Sequence, residues 1–236
     1  MEKLIHSARE LFNIHLLGRQ VLALGAYEKE LLAWNQKFNL TAIRDADGIR
    51  TKHFLDSFSC VLAWGANPPA RLVDVGTGAG FPGLVLKILY PALHLTLIES
   101  VGKKAAFCQH IVDVLKLDGV DVLNLRAENA GQDERYREQF DCATGRAVAG
   151  MNVLGEYLLP LVKVGGLLLA QKGVSGLAEA QAAQSALNRL GGRLREAIEV
   201  RLPNLAELRT LVLVDKVSPT PLEYPRRVGM ATKEPL

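Results

Sequence analysis

The sequence predicts a doubly wound α/β fold: a seven-stranded, mostly parallel sheet with its last strand pair antiparallel, preceded by an N-terminal helical lobe. Three observations carry that expectation. Up to residue 66, apolar residues recur at helical spacing. From Arg71 the texture changes, and short β-rich apolar runs alternate with helical ones, as in a parallel sheet covered by helices. At 71–83, RLVDVGTGAGFPG places three glycines within five residues, straight after a β-branched run, where a first strand should turn into a helix.

Val21, Leu24, Tyr27, Leu31, Trp34 and Phe38 form one face of an amphipathic helix, and a second helix is expected from about Gly48 to Trp64. AWGANPPAR breaks the pattern and marks the join to the sheet. Strands are expected at Leu72–Val75, Leu93–Glu99, Val120–Arg126, Phe140–Thr144 and Gly166–Gln171, with a helix at Lys103–Lys116. Ala178–Leu190 is an Ala-rich helix stopped by Gly191-Gly192. Two strands joined by a short turn follow, Arg195–Leu202 and Arg209–Val217, and should pair antiparallel. The expected organisation is 1–66 helical lobe, 67–217 sheet domain and 218–236 extended surface strap, the last with four prolines and Arg226-Arg227.

Composition narrows the class without naming it. Of 236 residues, 49% are hydrophobic and 22% charged, which is ordinary globular usage, and a net charge of +3 alone does not indicate nucleic acid. Cys60, Cys108 and Cys142 lie far apart with no CxxC, so neither a disulfide framework nor a metal site is expected. Apolar runs such as Val164–Ala170 are too short to span a membrane, and MEKLIHSARELF interrupts its apolar residues with charge, unlike a signal peptide. A cytoplasmic protein is the expectation.

The glycine stretch can be read in two frames. Gly78, Gly80 and Gly83 fit GxGxxG, the dinucleotide frame of an NAD-dependent oxidoreductase, but start late after the last strand residue, Val75. Asp74, Gly76, Gly78 and Gly80 fit D-x-G-x-G-x-G, which places an acid inside the cradle. A carboxylate there repels phosphate and suits a ligand bearing an ammonium and a sulfonium, S-adenosylmethionine. Glu99 ends the second strand, where an acid meets ribose hydroxyls.

The acceptor is approached by elimination. The fourth strand exits through Thr144–Ala147, TGRA, instead of the Asn/Asp-Pro-Pro-aromatic run that goes with exocyclic amines. Carbon-5 methylation needs an exposed cysteine, whereas Cys142 lies mid-strand. No Asp/His cluster suggests a metal or base for an oxygen acceptor. An acceptor already nucleophilic and without a proton remains, such as guanine N7.

DVGTGAGFPGLVLKI, with WNQKFNLTAIRD and TKHFLDSF ahead of it, resembles the bacterial RsmG family, also called GidB. The likeness continues through Glu99–Lys104, Arg126–Glu128, Gly145–Ala147, Gln171–Gly173 and the tail YPRRVGM. It implies a class I S-adenosylmethionine-dependent methyltransferase of Rossmann-like fold, acting on guanine N7 in 16S ribosomal RNA, naked or in the small ribosomal subunit. A non-catalytic ribosome-assembly factor with a retained cofactor pocket is the second alternative. The resemblance further implies that Gly76 and Phe81 line the methionine end, Ala127 and Glu128 flank the adenine, and Arg146 reaches cofactor or target base. Gly78 and Gly80 allow close backbone approach to the ligand. Asn39 reads either as a cap or as part of the acceptor pocket, and His53 either as a packing residue or as a substrate contact. Lys103, Lys104, Lys172, Arg226 and Arg227 are the candidate RNA contacts. Two departures stand out: Gly145 replaces a common Ser, and Val228 replaces the Pro of the usual tail.

Overall fold

In the computed structural model, which describes residues 1–236, the chain opens with α1 (Glu2–Phe12) and α2 (Gly18–Phe38). Both end on an asparagine in the left-handed region, Asn13 at φ 53° and Asn39 at φ 48°, so Asn39 is a helix cap. Leu24, Tyr27 and Leu31 are buried as the periodicity predicts, but Phe38 is exposed and the polar Asn35 takes the next buried position. The helical stretch expected over 48–64 is continuous but not uniform. It runs as α3 (Ala46–Ile49), a π-helical turn (Arg50–Leu55), α4 (Asp56–Phe58) and a 3₁₀ turn (Ser59–Ala63).

The remaining elements are β1 (Arg71–Val75), α5 (Gly83–Leu89), β2 (His94–Ile98), α6 (Gly102–Leu115), β3 (Val120–Leu123), α7 (Ala127–Gln132), β4 (Phe140–Arg146) and α8 (Met151–Leu158). After these come β5 (Val162–Lys172), α9 (Gly176–Ala182), α10 (Gln184–Arg189), β6 (Gly192–Val200), β7 (Arg209–Lys216) and α11 (Met230–Lys233). The seven strands lie in the order β3-β2-β1-β4-β5-β7-β6, and only β7 runs against the rest. The order reverses between β1 and β4, the position at which open α/β sheets hold ligands. The Ala-rich helix is split at Ala183 although no breaker residue stands there; packing sets the kink, α10 lying on α8 and β6 and α9 on β7.

Side chains that alternate along each strand sort onto two faces. Leu72, Leu95, Leu97, Cys142 and Leu169 join α5, α6 and the N-terminal helices in one core. Val73, Val75, Ile98, Ala143 and Leu168 join the helices of the other face. The N-terminal helices therefore share a continuous core with the sheet, and residue 66 marks a change of secondary structure inside it.

One contact fixes this lobe against the glycine stretch. The fully buried Tyr27 hydroxyl donates to the Ala79 carbonyl. A Cβ on Gly80, at φ +93°, would fall 2.5 Å from that hydroxyl oxygen and 3.0 Å from Leu84 Cγ. Packing against Tyr27 and Leu84 already requires a glycine at position 80, a second reason for it beside the one the sequence suggested. Gly80→Ala combines overpacking with backbone strain and should cost about 2–5 kcal/mol. Gly165→Ala, at φ +86° with nothing within 4 Å, should cost only about 1–3 kcal/mol from strain. Denaturant midpoints of the two variants check the contrast.

Candidate functional site

The loop between β1 and α5 is organised by two carboxylates. Asp74 is fully buried, and its Oδ2 accepts from Thr77 Oγ1 at 2.6 Å and from Gly83 N–H at 2.9 Å. Burial pushes its pKa up to about 6 against the pull of those two donors. Glu99 accepts from Gly78 N–H (2.9 Å) through Oε2 and from Val101 N–H (2.7 Å) through Oε1. Ile98 O takes the N–H groups of Gly76 and Thr77, and Thr77 O takes those of Gly80 and Phe81. The loop amides are thus used within the protein, and two acids stand among them. A pyrophosphate would meet no free row of donors here, which removes the physical basis for the dinucleotide frame.

Asp74 lies buried beneath the loop, where Oδ2 shapes the turn and Oδ1 is left without a hydrogen-bond partner. Gly78 differs from Gly80. It has φ +62°, and a Cβ there would meet nothing within 4 Å, so its outer side is open. Cys108 packs under it, its thiol reaching Gly78 O at 3.5 Å. All three cysteines are buried, as expected of packing residues, and burial raises each thiol's pKa.

Beside the loop lies a slot of ≈ 90 Å³ at the carboxyl ends of β1 to β4. Its walls include Gly76, Ile98, Leu125, Ala127, Glu128 and Val148. Val148 Cγ2 lies 2.8 Å from where a Gly76 Cβ would be, so the chain after β4 presses directly on the loop. β3 ends at Leu123, short of the expected Arg126, and the residues beyond it leave the sheet to line the slot. Glu128 lines it while its Oε1 accepts from Gly229 N–H of the tail at 2.9 Å. The slot is mostly apolar, with Glu128 as its acid and with Ser100 and Arg126 also in its walls.

On the other side of the β4 exit is a cleft of ≈ 370 Å³, whose walls include Lys52, His53, Asp56, Arg146, Gln171 and Arg209. Arg146 is its best-held side chain. Its Nη1 donates to Asp56 Oδ2 (2.8 Å) and Lys52 O (3.2 Å), Nη2 donates to His53 Nδ1 (3.0 Å), and Cζ lies 5.2 Å from the Phe81 ring centroid. Because Arg146 only donates, His53 Nδ1 must be unprotonated, and Nε2–H then donates to Thr41 Oγ1 at 2.9 Å. Burial and the facing guanidinium lower the His53 pKa to about 3. His53 is neutral across the physiological range and is a poor general base.

Phe81 is buried and stacks on Tyr27 (5.3 Å) and His53 (4.4 Å), so it joins lobe to loop beside the cleft and is not among the slot's walls. Four residues that sequence reading missed complete the assembly. Asn35 fixes the following loop through Thr41 N–H, Thr41 O and Ile43 O, and Thr41 then orients His53. Asp56 anchors Arg146, and Gln171 Nε2 donates to Asp56 O at 2.8 Å. A polar residue one helical turn beyond Leu31 was the available signal for Asn35.

The candidate RNA contacts divide. Lys103 and Arg227 are exposed and Lys104 is half-exposed on the α6 side of the slot. Lys172 is tied to Ala149 O (2.8 Å) and Glu179 (2.6 Å) and is not free for RNA. Arg226 is also removed: it forms a two-pronged pair with Glu156, whose side chain is fully buried, and donates to Glu234 O. With Arg137 donating to Thr220 and Tyr224 carbonyls, it fastens the tail across α7 and α8. Asn39, beyond its capping role, accepts from Arg44 at 3.2 Å. Gly145, the departure from Ser, packs with Leu154 Cδ1 3.1 Å from where a Cβ would stand.

The sheet order and its ligand end define a class I methyltransferase fold. Solved structures agree: TrmN from Thermus thermophilus superposes with TM-score 0.53 at 16% identity, over 71% of this chain and 53% of that one. A ribosomal protein L11 methylase from Lactobacillus delbrueckii subsp. bulgaricus gives 0.53 at 11% identity, over 71% and 79%. The family model GidB, rRNA small subunit methyltransferase G, matches residues 20–203, and the chain belongs to that family. Among its relatives, Ribosomal RNA small subunit methyltransferase G of Roseiflexus castenholzii is 51% identical over 236 residues, all of both chains. The protein of that name from Alkaliphilus metalliredigens is 44% identical over 222 residues, 94% of this chain and 93% of the other. No helix is long and apolar enough to cross a membrane.

Arg226→Ala should destabilise the fold by about 3 kcal/mol or more, because it leaves the buried Glu156 carboxylate without its cation. Arg227→Ala, exposed and unpaired, should stay within about 0.5 kcal/mol of wild type. Equilibrium unfolding of both checks the assignment.

Proposed function

We propose that the protein transfers a methyl group from S-adenosylmethionine to N7 of one guanine in 16S ribosomal RNA, in the cytoplasm. The observation that carries this reading is the pairing of two adjoining pockets of opposite character. One is a mostly apolar slot beside a glycine loop whose amides are taken by Asp74, Glu99 and backbone carbonyls; the other is a basic cleft holding a neutral histidine and no exposed nucleophile. Consecutive residues join them, Ala147 lining the cleft and Val148 the slot.

When bound, the cofactor supplies an electrophilic methyl carbon on a sulfonium. Gly78 presents bare backbone toward that ligand, Gly76 lines the slot with Val148 packed on it, and the lone pairs left on Glu99 can receive ribose hydroxyls. Ala127 and Glu128 close the slot on the base side. Arg146 lines the cleft, held by Asp56, His53 and the Lys52 carbonyl, and positions the reactants without exchanging a proton. Guanine N7 needs no deprotonation, so the site requires orientation and not a base. Orientation alone can supply about 7–11 kcal/mol of barrier lowering. Lys103, Lys104 and Arg227 remain as contacts that would hold phosphates at a distance. N7 is unreadable in the deep major groove of paired RNA, so the target base must be unpaired or splayed.

Single-turnover rates at saturating cofactor and RNA should be nearly flat from about pH 7 to 8, above the Asp74 pKa of about 6, because no general base takes part in the transfer. Arg146→Ala should lower the rate roughly a hundredfold or more through misplacement, and His53→Gln only modestly. Calorimetry should show S-adenosylhomocysteine binding, no NAD binding, and an affinity roughly tenfold to a hundredfold lower for Glu99→Ala. Cofactor binding without turnover on small-subunit RNA would favour an assembly factor instead. A rate rising tenfold per pH unit and abolished by His53→Gln would overturn the mechanism.

A further inference from the structure

The floor of the cleft holds two oxygens that the protein leaves without partners. Asp56 and Gln171 are 3% and 5% exposed, and Asp56 Oδ1 and Gln171 Oε1 are buried without a hydrogen bond. Each side chain is pinned at its other end. Asp56 Oδ2 is held by Arg146 at 2.8 Å, and Gln171 Nε2 donates to Asp56 O at 2.8 Å, which fixes the amide with Oε1 turned the other way. The nearest cation to Asp56 Oδ1 is Arg209 Nε at 3.7 Å, too far for a good hydrogen bond. A buried acceptor left unpaired is destabilising, and two in one cleft make a site that asks for donors.

We propose that Asp56 Oδ1 and Gln171 Oε1 recognise the Watson–Crick edge of the target guanine by accepting its N1–H and N2–H₂ donors. The proposal rests on the guanine-N7 reading above. Among the four RNA bases, only guanine presents two adjacent donors on that edge. Adenine offers a donor beside an acceptor, uracil a single donor between two acceptors, and cytosine one donor beside acceptors. A pair of acceptors is therefore a selector for guanine. It also orients the base, since N7 lies on the opposite side of the purine from N1 and N2. A guanine gripped at Asp56 and Gln171 turns N7 away from them, leaving it free to face the wall at Ala147, behind which Val148 borders the slot. Arg209, loosely placed between Asp56 and Glu207 at 3.7 Å from each, yields its place at Oδ1 to the base and is left to meet phosphate.

The test is a cycle between protein acceptors and RNA donors. Small subunits are assembled with 16S ribosomal RNA carrying guanosine or inosine at the target position; inosine lacks only the N2 amine. Wild-type protein should show kcat/KM roughly tenfold to a hundredfold lower on inosine. Gln171→Leu and Asp56→Asn should each lose activity on guanosine, and at least one of them should show no further loss on inosine. A merely structural role would give additive losses. Equal wild-type turnover of inosine and guanosine, or full additivity for both variants, overturns the edge recognition while leaving N7 methylation standing. Absence of wild-type methylation on guanosine would overturn both. The wild-type comparison needs no variant to fold.

Discussion

The site depends on one guanidinium being held still. Arg146 ends β4, yet its hydrogen-bond acceptors come from the helical stretch before β1: the Lys52 carbonyl, His53 Nδ1 and the Asp56 carboxylate. A guanidinium suits this role because its donors lie in a fixed plane and its charge does not titrate. The π-helical turn at Arg50–Leu55 brings Lys52 and His53 to the same guanidinium as Asp56. Such turns recur where a helix carries functional groups. Phe81 from the glycine loop closes the group by stacking on His53 and lying under the guanidinium. Docking the helices on the sheet and assembling the site are therefore one event. Tyr27 secures it from the other side by binding Ala79 O and filling the space above Gly80.

Electrostatics divide the site along the same line. Asp74 and Glu99 organise the loop, whereas Lys52, Arg146, Lys172 and Arg209 outnumber Asp56 and Glu179 around the cleft. The proton-linked terms oppose each other. Folding lowers the His53 pKa from 6.5 to about 3, so its stabilising contribution is present above pH 6.5 and is lost as pH falls toward 3. Folding raises the Asp74 pKa from 3.8 to about 6, so its contribution is present below pH 3.8 and is lost as pH rises through 6. Between pH 4 and 6 the two partly offset each other.

The sheet was legible because its strands alternate on two faces and its glycine motif stands at a strand end, both of which are local patterns. Class and cofactor chemistry were legible for the same reason: Asp74 and Glu99 sit at fixed distances from the glycines. What the sequence hid was pairing across long separations. Arg226 and Lys172 look like free surface cations until Glu156 and Glu179 are seen beside them. Gly80 gives no sign in the sequence that Tyr27 and Leu84 fill the space a side chain would need. Phe81 and Arg146 carried a family expectation, but their shared partner, a neutral His53, follows only from the direction of the hydrogen bonds. Asp56 drew no attention as an acid within a helix, although it holds the cation on which the cleft is built.

The central claim is that His53 is a permanently neutral acceptor for Arg146. Nitrogen-resolved NMR of the histidine rings across pH 5 to 8, on protein without RNA, tests it directly. The account predicts that His53 keeps the signature of a neutral Nε2–H ring with bare Nδ1 throughout, and that Arg146→Ala restores titration toward the ordinary histidine range. A His53 ring that takes up a proton with a midpoint near 6.5 in the wild-type protein would contradict it.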